Sequence, residues 1–396
     1  MSQPLSDRIL NMSTSATLAM AAKTRELKAE GKDIIGLSLG EPDFNTPDFI
    51  KDAAIQAIND NYNSYSPVDG YVELKEAVIT KFKRDNNLTY TLPQIVVSTG
   101  AKQSLANIAA VMLNKGDEVI LPCPYWVSYS DIVKLSEGVP VEVQTSIDTD
   151  FKMTAAQLEA AITPKTKMLW FSSPCNPSGS LYSQKELEAL AEVLKKHPNI
   201  YVVSDEIYEH INYTGKPHAS MASVDGMFNN TITVNGVSKA FAMTGWRIGY
   251  IGAPDWIARA CNKMQGQVTS GANCIAQQAV ITALNADPSV VKFMIDEFKV
   301  RRDLVLDLLG NIEGFNTNTP EGAFYVFPDI SYFFGKTLRG KTIHNATDFS
   351  LYLLEEALVA TVTGEAFGNP NCIRLSYAAS QKEITEAIKR IKEAVS

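Results

Sequence analysis

Ile200-Tyr201-Val202-Val203-Ser204-Asp205-Glu206-Ile207-Tyr208 runs an apolar stretch straight into an acid. The run is short and mostly β-branched and apolar, so it reads as a strand of a sheet covered on both faces. Its carboxyl end carries Asp205, with Tyr208 three residues on.

Outward from there the same grammar repeats. Strands are predicted at 95–99, 118–121, 139–143, 167–172, 200–204, 231–234 and 248–251. Helical patterns separate many of them: 71–85, where Leu74, Val78 and Phe82 recur every fourth residue, then 101–113, 127–135 and 155–162. Ser183-x-x-Glu186 is a capping box that opens a further helix to His197. Strands alternating with helices specify an α/β fold, with a mostly parallel seven-stranded sheet flanked by helices. After about residue 285 the chain turns helical over 291–309 and ends with strands at 323–327 and 373–377 and a charged helix. This reads as a smaller α+β domain that also takes in the N-terminal segment. The boundaries expected are 1–45 for the arm and part of the small domain, 46–285 for the large domain and 286–396 for the rest of the small one. Thr46-Pro47-Asp48 is read as a helix start, with Thr46 as N-cap.

Composition narrows the function. The formal charge of −8 argues against a general affinity for nucleic acid or anionic membranes. Five cysteines without a C-x-x-C pair, and histidines without H-E-x-x-H, suit reduced cytosolic thiols and no metal site. The polar start lacks the apolar core of a secretory signal, so the expected location is cytoplasmic. No apolar run reaches the length of a membrane span.

In an open parallel sheet, ligands sit outside the carboxyl ends of the strands. Strand 95–99 leads into Gly100-Ala101-Lys102, and 118–121 into Pro124-Tyr125-Trp126. Strand 167–172 leads into Asn176-Pro177-Ser178-Gly179, and 231–234 into Ser238-Lys239; Arg247 begins the next strand. A helix starting after Gly100 presents an anion site, and Ser238 and Arg247 suit a phosphate. Trp126 offers a face for a flat ring, Asp205 a carboxylate, Asn176 and Tyr208 donors, Lys239 an amine. Together these groups describe a site for pyridoxal 5′-phosphate.

Asn176-Pro177-Ser178-Gly179, Ser204-Asp205-Glu206-Ile207-Tyr208 and Ser238-Lys239-Ala240-Phe241-x-x-x-Gly245-x-Arg247-x-Gly249 resemble the signatures of class I aminotransferases of fold type I. Gly40-Glu41-Pro42-Asp43-Phe44, Tyr65-x-Pro-x-x-Gly70 and Arg374-Leu375-Ser376 extend the resemblance over nearly the whole chain. Pro124–Tyr129 and Ala242–Trp246 resemble the bacterial aspartate aminotransferase 1-beta subgroup. Each motif alone is weak; their joint order and spacing is specific.

The resemblance implies roles. Lys239 would hold the cofactor as a Schiff base and then act as general base and acid. Asp205 would pair with the pyridinium nitrogen, Tyr208 and Asn176 would bond the phenolic oxygen, and Trp126 would stack on the ring. Gly100, Ala101, Lys102, Ser238 and Arg247 would hold the phosphate, which Tyr65 would reach from the other subunit of a homodimer. Arg374 would grip the substrate α-carboxylate, with Asn176 and the backbone near Gly40. Ser15, Thr17 and Lys102 would meet an acidic side chain. The implied reaction is ping-pong transfer from L-aspartate to 2-oxoglutarate.

Each residue taken alone has a plainer reading. A lone Asp after a strand is usually a cap, Arg374 could be a surface ion pair, and Trp126 could be core. Ser15 and Thr17 could simply cap the first helix. Strand alternation permits Arg374 on either face. What the plain readings leave unexplained is why every residue falls at the carboxyl edge. A lysine expected of prephenate-using relatives is absent at Ser13 and its neighbours Met12 and Asn11, which makes prephenate a weaker expectation. An aromatic, alanine or broad-range aminotransferase, or a β-lyase, would share Lys239, Asp205 and Arg374. A nucleotide-binding dehydrogenase would show G-x-G-x-x-G after an early strand, which is absent. A DNA-binding regulator would need more chain before the first helix than the roughly 15 residues present.

Overall fold

The computed structural model describes residues 5–10, 12 and 16–396. Its centre is one seven-stranded sheet: β1 (Ile95–Ser98), β2 (Glu118–Cys123), β3 (Val139–Gln144), β4 (Thr166–Ser172), β5 (Tyr201–Asp205), β6 (Thr231–Gly236) and β7 (Gly249–Gly252). The spatial order is β1-β7-β6-β5-β4-β2-β3. β7 pairs antiparallel with both β1 and β6; the other pairings are parallel.

Burial explains why the strands read as unbroken apolar runs. Val119, Leu121, Met168, Trp170 and Val203 pack on one face, under helices Ala101–Met112 and Asp255–Val268. Ile120, Leu169, Phe171 and Val202 pack on the other, under helix Gln184–Leu194. The central strands thus send alternate residues into two cores, while the edge strand β3 stays partly exposed.

A second sheet orders β9 (Val362–Thr363), β10 (Ile373–Ser376) and β8 (Tyr325–Val326), all antiparallel. It packs with helices Lys292–Gly310 and Gln381–Val395 in a core that also takes Ile35, Leu37 and Tyr208. The early chain is stitched to this part: Ile35–Gly36 pairs in parallel with Val359–Ala360, and the Ser376 N–H donates to the Leu37 carbonyl at 2.8 Å.

Two expectations change. The helix expected after Thr46 starts at Asp48 with Pro47 at the cap position. The Thr46 hydroxyl instead donates to the Ala242 carbonyl at 2.7 Å and accepts from Trp246 Nε1 at 3.1 Å. It fastens the early chain to the loop after Lys239 instead of capping the helix. The strand expected over 323–327 shortens to β8, because Ala323 sits at φ +57° and leaves the extended region.

Beyond Asp205, the neighbouring acids have structural partners. Glu206 Oε1 accepts from the Ser204 and Ser220 hydroxyls at 2.9 and 2.6 Å. Glu209, just after the motif, lies against the Lys81 ammonium and accepts from Asn86 at 2.7 Å and Asn235 at 2.9 Å. Among the described residues, no helix is long and apolar enough to cross a membrane.

Candidate active site

The carboxyl edge of the large sheet opens into a cavity of about 320 Å³. Asp205, Ser238, Lys239, Asn176, Trp126, Ala101 and Lys102 reach it from segments that end or follow parallel strands. Arg247 precedes its strand, yet it lines the same cavity, because β7 runs antiparallel and begins at this edge. Tyr325 and Arg374 enter from the second sheet, on β8 and β10.

Asp205 is fully enclosed. Its Oδ2 accepts from the Tyr129 hydroxyl at 2.7 Å and its Oδ1 from the Ile207 N–H at 3.2 Å. Burial raises its carboxyl to about 6, while Tyr129 and Ile207 pull it back down. The Lys239 amine donates to the Gly40 carbonyl at 2.6 Å and lies 5.6 Å from the centre of the Tyr208 ring. Burial, the largest cause, pushes it down to about 8, close enough to neutral pH for a part of the amines to be uncharged. A buried lysine with a depressed pKa is the form a carbonyl compound needs as a nucleophile.

The anion cradle rests on backbone. Gly100 has φ +81° and stands directly before helix Ala101–Met112, whose first N–H groups face the cavity edge. A Cβ on Gly100 would overlap the Arg247 guanidinium, and one on Gly249 would overlap the Ala101 backbone. Only glycine admits both the left-handed turn and this approach. Arg247 is itself held at φ +58°, with Nη1 donating to the Thr244 carbonyl at 2.9 Å.

Arg374 is 1% exposed, and all of β10 around it is buried, so alternation could not have told which face it takes. Its Nη1 donates to Asn176 Oδ1 at 2.9 Å and its Nη2 to the Ser38 carbonyl at 2.5 Å. The Tyr325 and Phe367 rings lie 4.6 and 4.9 Å from the guanidinium carbon. Its Nε has no partner among the described residues. Lys102 lies 4.8 Å from the Trp126 ring centre, and burial, with the nearby Arg247 charge, lowers its pKa.

The cavity brings together Thr17, Gly40, Ala101, Lys102, Trp126, Asn176, Asp205, Tyr208, Ser238, Lys239, Arg247 and Arg374. Gly100 stands behind Arg247 without lining the cavity. Tyr65 is fully exposed in the single chain and away from the lining. Ser15 lies outside the described residues, as do Asn11 and Ser13. Sequence reasoning missed Tyr129, Tyr325, Glu41 and Thr244; the last two are joined by a hydroxyl-to-carboxylate bond. Tyr129 and Glu41 sit inside motifs quoted for their neighbours. Tyr325 has no local signal.

Four cations, Lys102, Lys239, Arg247 and Arg374, face two carboxylates, Glu41 and Asp205, in this cavity. None of the four has an ion-pair partner among the described residues. A site with excess positive charge, a helix N-terminus for an anion, an indole face, a buried carboxylate and an amine held partly uncharged fits a flat phosphorylated pyridine aldehyde. The fold and site define a pyridoxal-phosphate enzyme working on carboxylate-bearing amines.

The comparisons agree. The family model for aminotransferase class I and II matches residues 32–391. A probable aspartate/prephenate aminotransferase from Rickettsia bellii is 48% identical over 392 residues, 98% of each chain. An aspartate aminotransferase from Rhizobium meliloti is 47% identical over 394 residues, 99% of this chain and 96% of its own. The crystal structure of the aspartate aminotransferase from Rhizobium meliloti superposes with a TM-score of 0.96 at 45% identity, covering 100% of this chain and 99% of that one. An aspartate aminotransferase from Thermus thermophilus with maleate gives 0.93 at 40% identity, covering 99% and 100%. The chain belongs to the aminotransferase class I and II family, whose cofactor is pyridoxal 5′-phosphate.

Proposed function

We propose that this protein transfers the amino group of L-aspartate to 2-oxoglutarate, giving oxaloacetate and L-glutamate. The observation that carries the reading is the set of four cations in one cavity that have no ion-pair partner among the described residues. A phosphate accounts for Arg247 and a share of Lys102. Two carboxylates on one substrate account for Arg374 and the remainder of Lys102. A monocarboxylate would leave one of these cations unneutralised.

The bound cofactor supplies a ring that accepts electrons from the substrate's Cα. Lys239 would anchor it and carry the proton from Cα, as its buried amine permits. Asp205 would hold the ring nitrogen in its charged form, Tyr208 and Asn176 would bond the ring oxygen, and Trp126 would pack against the ring. Arg374 orients the substrate through its planar fork, with its unengaged Nε available to a carboxylate. Thr17 and Lys102 would meet the distal carboxylate, the role the family resemblance also implies for Ser15, which lies outside the described residues.

The reading includes a cytoplasmic homodimer divided at about residues 45 and 285. Tyr65 supports the dimer: a large aromatic ring left fully exposed in the single chain suits contact with a second copy. A second reading extends the substrates to prephenate. It is favoured by the names of several relatives and by Leu18 and Leu39, apolar side chains in the lining.

Steady-state kcat/KM for aspartate, alanine and phenylalanine with 2-oxoglutarate, and for prephenate as acceptor, tests this. Aspartate is expected to exceed alanine and phenylalanine by on the order of a hundredfold. Equal or better use of phenylalanine would overturn the assignment of Lys102 and Thr17. Prephenate turnover comparable to 2-oxoglutarate would establish the second reading.

A further inference from the structure

Tyr325 belongs to no motif read from the sequence, yet it touches both halves of the site. Its hydroxyl lies 2.6 Å from the Tyr208 hydroxyl, and its ring centre lies 4.6 Å from the Arg374 guanidinium carbon. The two tyrosine rings meet edge to face, 5.8 Å apart at 79°. Tyr325 is completely buried, on β8, where it pairs with Ser376 two residues beyond Arg374. A Cβ on Gly40 would overlap its hydroxyl, so the segment carrying the Lys239-bound carbonyl closes over this oxygen because it lacks a side chain there.

We infer that Tyr325 is a positioning residue that couples the two ends of the active site, its hydroxyl orienting Tyr208 and its ring orienting Arg374. The inference rests on the reading of Tyr208 as a cofactor contact and of Arg374 as the substrate-carboxylate contact. With Tyr325 donating to the Tyr208 oxygen, the Tyr208 proton is free to point at the cofactor's ring oxygen. Chained hydroxyls polarise each other, so the outer tyrosine strengthens the inner one as a donor. Burial holds both phenols above their usual range, so both remain protonated donors at neutral pH. The ring acts separately. It fixes the guanidinium plane between itself and Phe367, so that the fork faces the cavity.

The two functions separate by substitution. Tyr325→Phe keeps the ring and removes the hydroxyl; Tyr325→Leu removes both. The first readout is the pH midpoint of the visible band of the reconstituted protein without amino acid. The second is the dissociation constant of maleate. Tyr208→Phe serves as the reference and is expected to raise the midpoint, since it removes the donor to the ring oxygen. Tyr325→Phe should raise it in the same direction by less, roughly half a pH unit, with maleate binding unchanged within about twofold. Tyr325→Leu should add a roughly three- to tenfold loss of maleate affinity. An unshifted midpoint in Tyr325→Phe, alongside a shifted one in Tyr208→Phe, would overturn the coupling and leave the reading of Tyr208 standing. An unshifted midpoint in Tyr208→Phe itself would overturn that reading and the inference with it.

Discussion

The Tyr129 hydroxyl stands 2.7 Å from Asp205 Oδ2, and both side chains are buried where they border the cavity. A buried carboxylate is costly unless donors satisfy it. Tyr129 and the Ile207 N–H supply two, and Asp205 can then ionise from about 6 upward despite its burial. The sign of the Tyr129 effect follows: a donor favours the charged form, so removing it raises the pKa. Tyr129→Phe should therefore shift the acid limb of pyridoxal 5′-phosphate affinity upward by about one pH unit, equivalent to a charged hydrogen bond of ~1.5 kcal/mol. Dissociation constants measured from pH 5.5 to 8 check this. Superimposable profiles would show that Tyr129 does not support Asp205.

Arg374 has the geometry of a waiting carboxylate receptor, fully buried, with a free Nε and no acidic partner among the described residues. Arg374→Leu should lower kcat/KM for aspartate by an amount corresponding to about 2–5 kcal/mol. Arg374→Lys should recover little, because an ammonium cannot reproduce the two-pronged contact. Steady-state kinetics decide it, and an unchanged kcat/KM in either variant would remove Arg374 from substrate binding.

On the proposed reading, Lys102 would serve two anions, the cofactor phosphate and the distal carboxylate of the substrate. Lys102→Met keeps the stem over Trp126 and removes the charge. The preference for aspartate over alanine, as a ratio of kcat/KM values, should fall by about tenfold or more. A preserved ratio with a lower cofactor affinity would confine Lys102 to the phosphate.

Thr17, Leu18, Leu39, Gly40 and Glu41 all line the cavity from the early chain, at its open side. The segment 36–45 and the helix from Ala16 should close over a bound dicarboxylate. Hydrogen exchange of residues 16–45 should slow when maleate is added to the cofactor-bound protein. Exchange that does not respond would rule out such closure.

The strands and their polar ends were legible because a sheet buried on both faces writes unbroken apolar runs, and because its ligand edge is fixed by strand direction. Asp205, Lys239 and Asn176 all follow from that rule. Arg247 precedes its strand, and only the antiparallel turn of β7 accounts for it. Tyr129 and Tyr325 were not legible as partners of Asp205 and Tyr208, since contacts between residues 76 and 117 positions apart leave no local pattern. Thr46 misled for the same reason: its cap chemistry is real, but a partner 196 residues away takes the hydroxyl.

The central claim is that Lys239 holds the cofactor. The direct measurement is borohydride reduction of the protein mixed with pyridoxal 5′-phosphate, followed by peptide mass spectrometry across pH. The account predicts one cofactor per chain, on the peptide containing Lys239, with trapping by the cofactor-free protein rising with a midpoint near 8, where the buried amine loses its proton. Lys239→Ala should fold normally and take up no label there. Labelling spread over other lysines, with Lys239 unmodified, would contradict the account at its root.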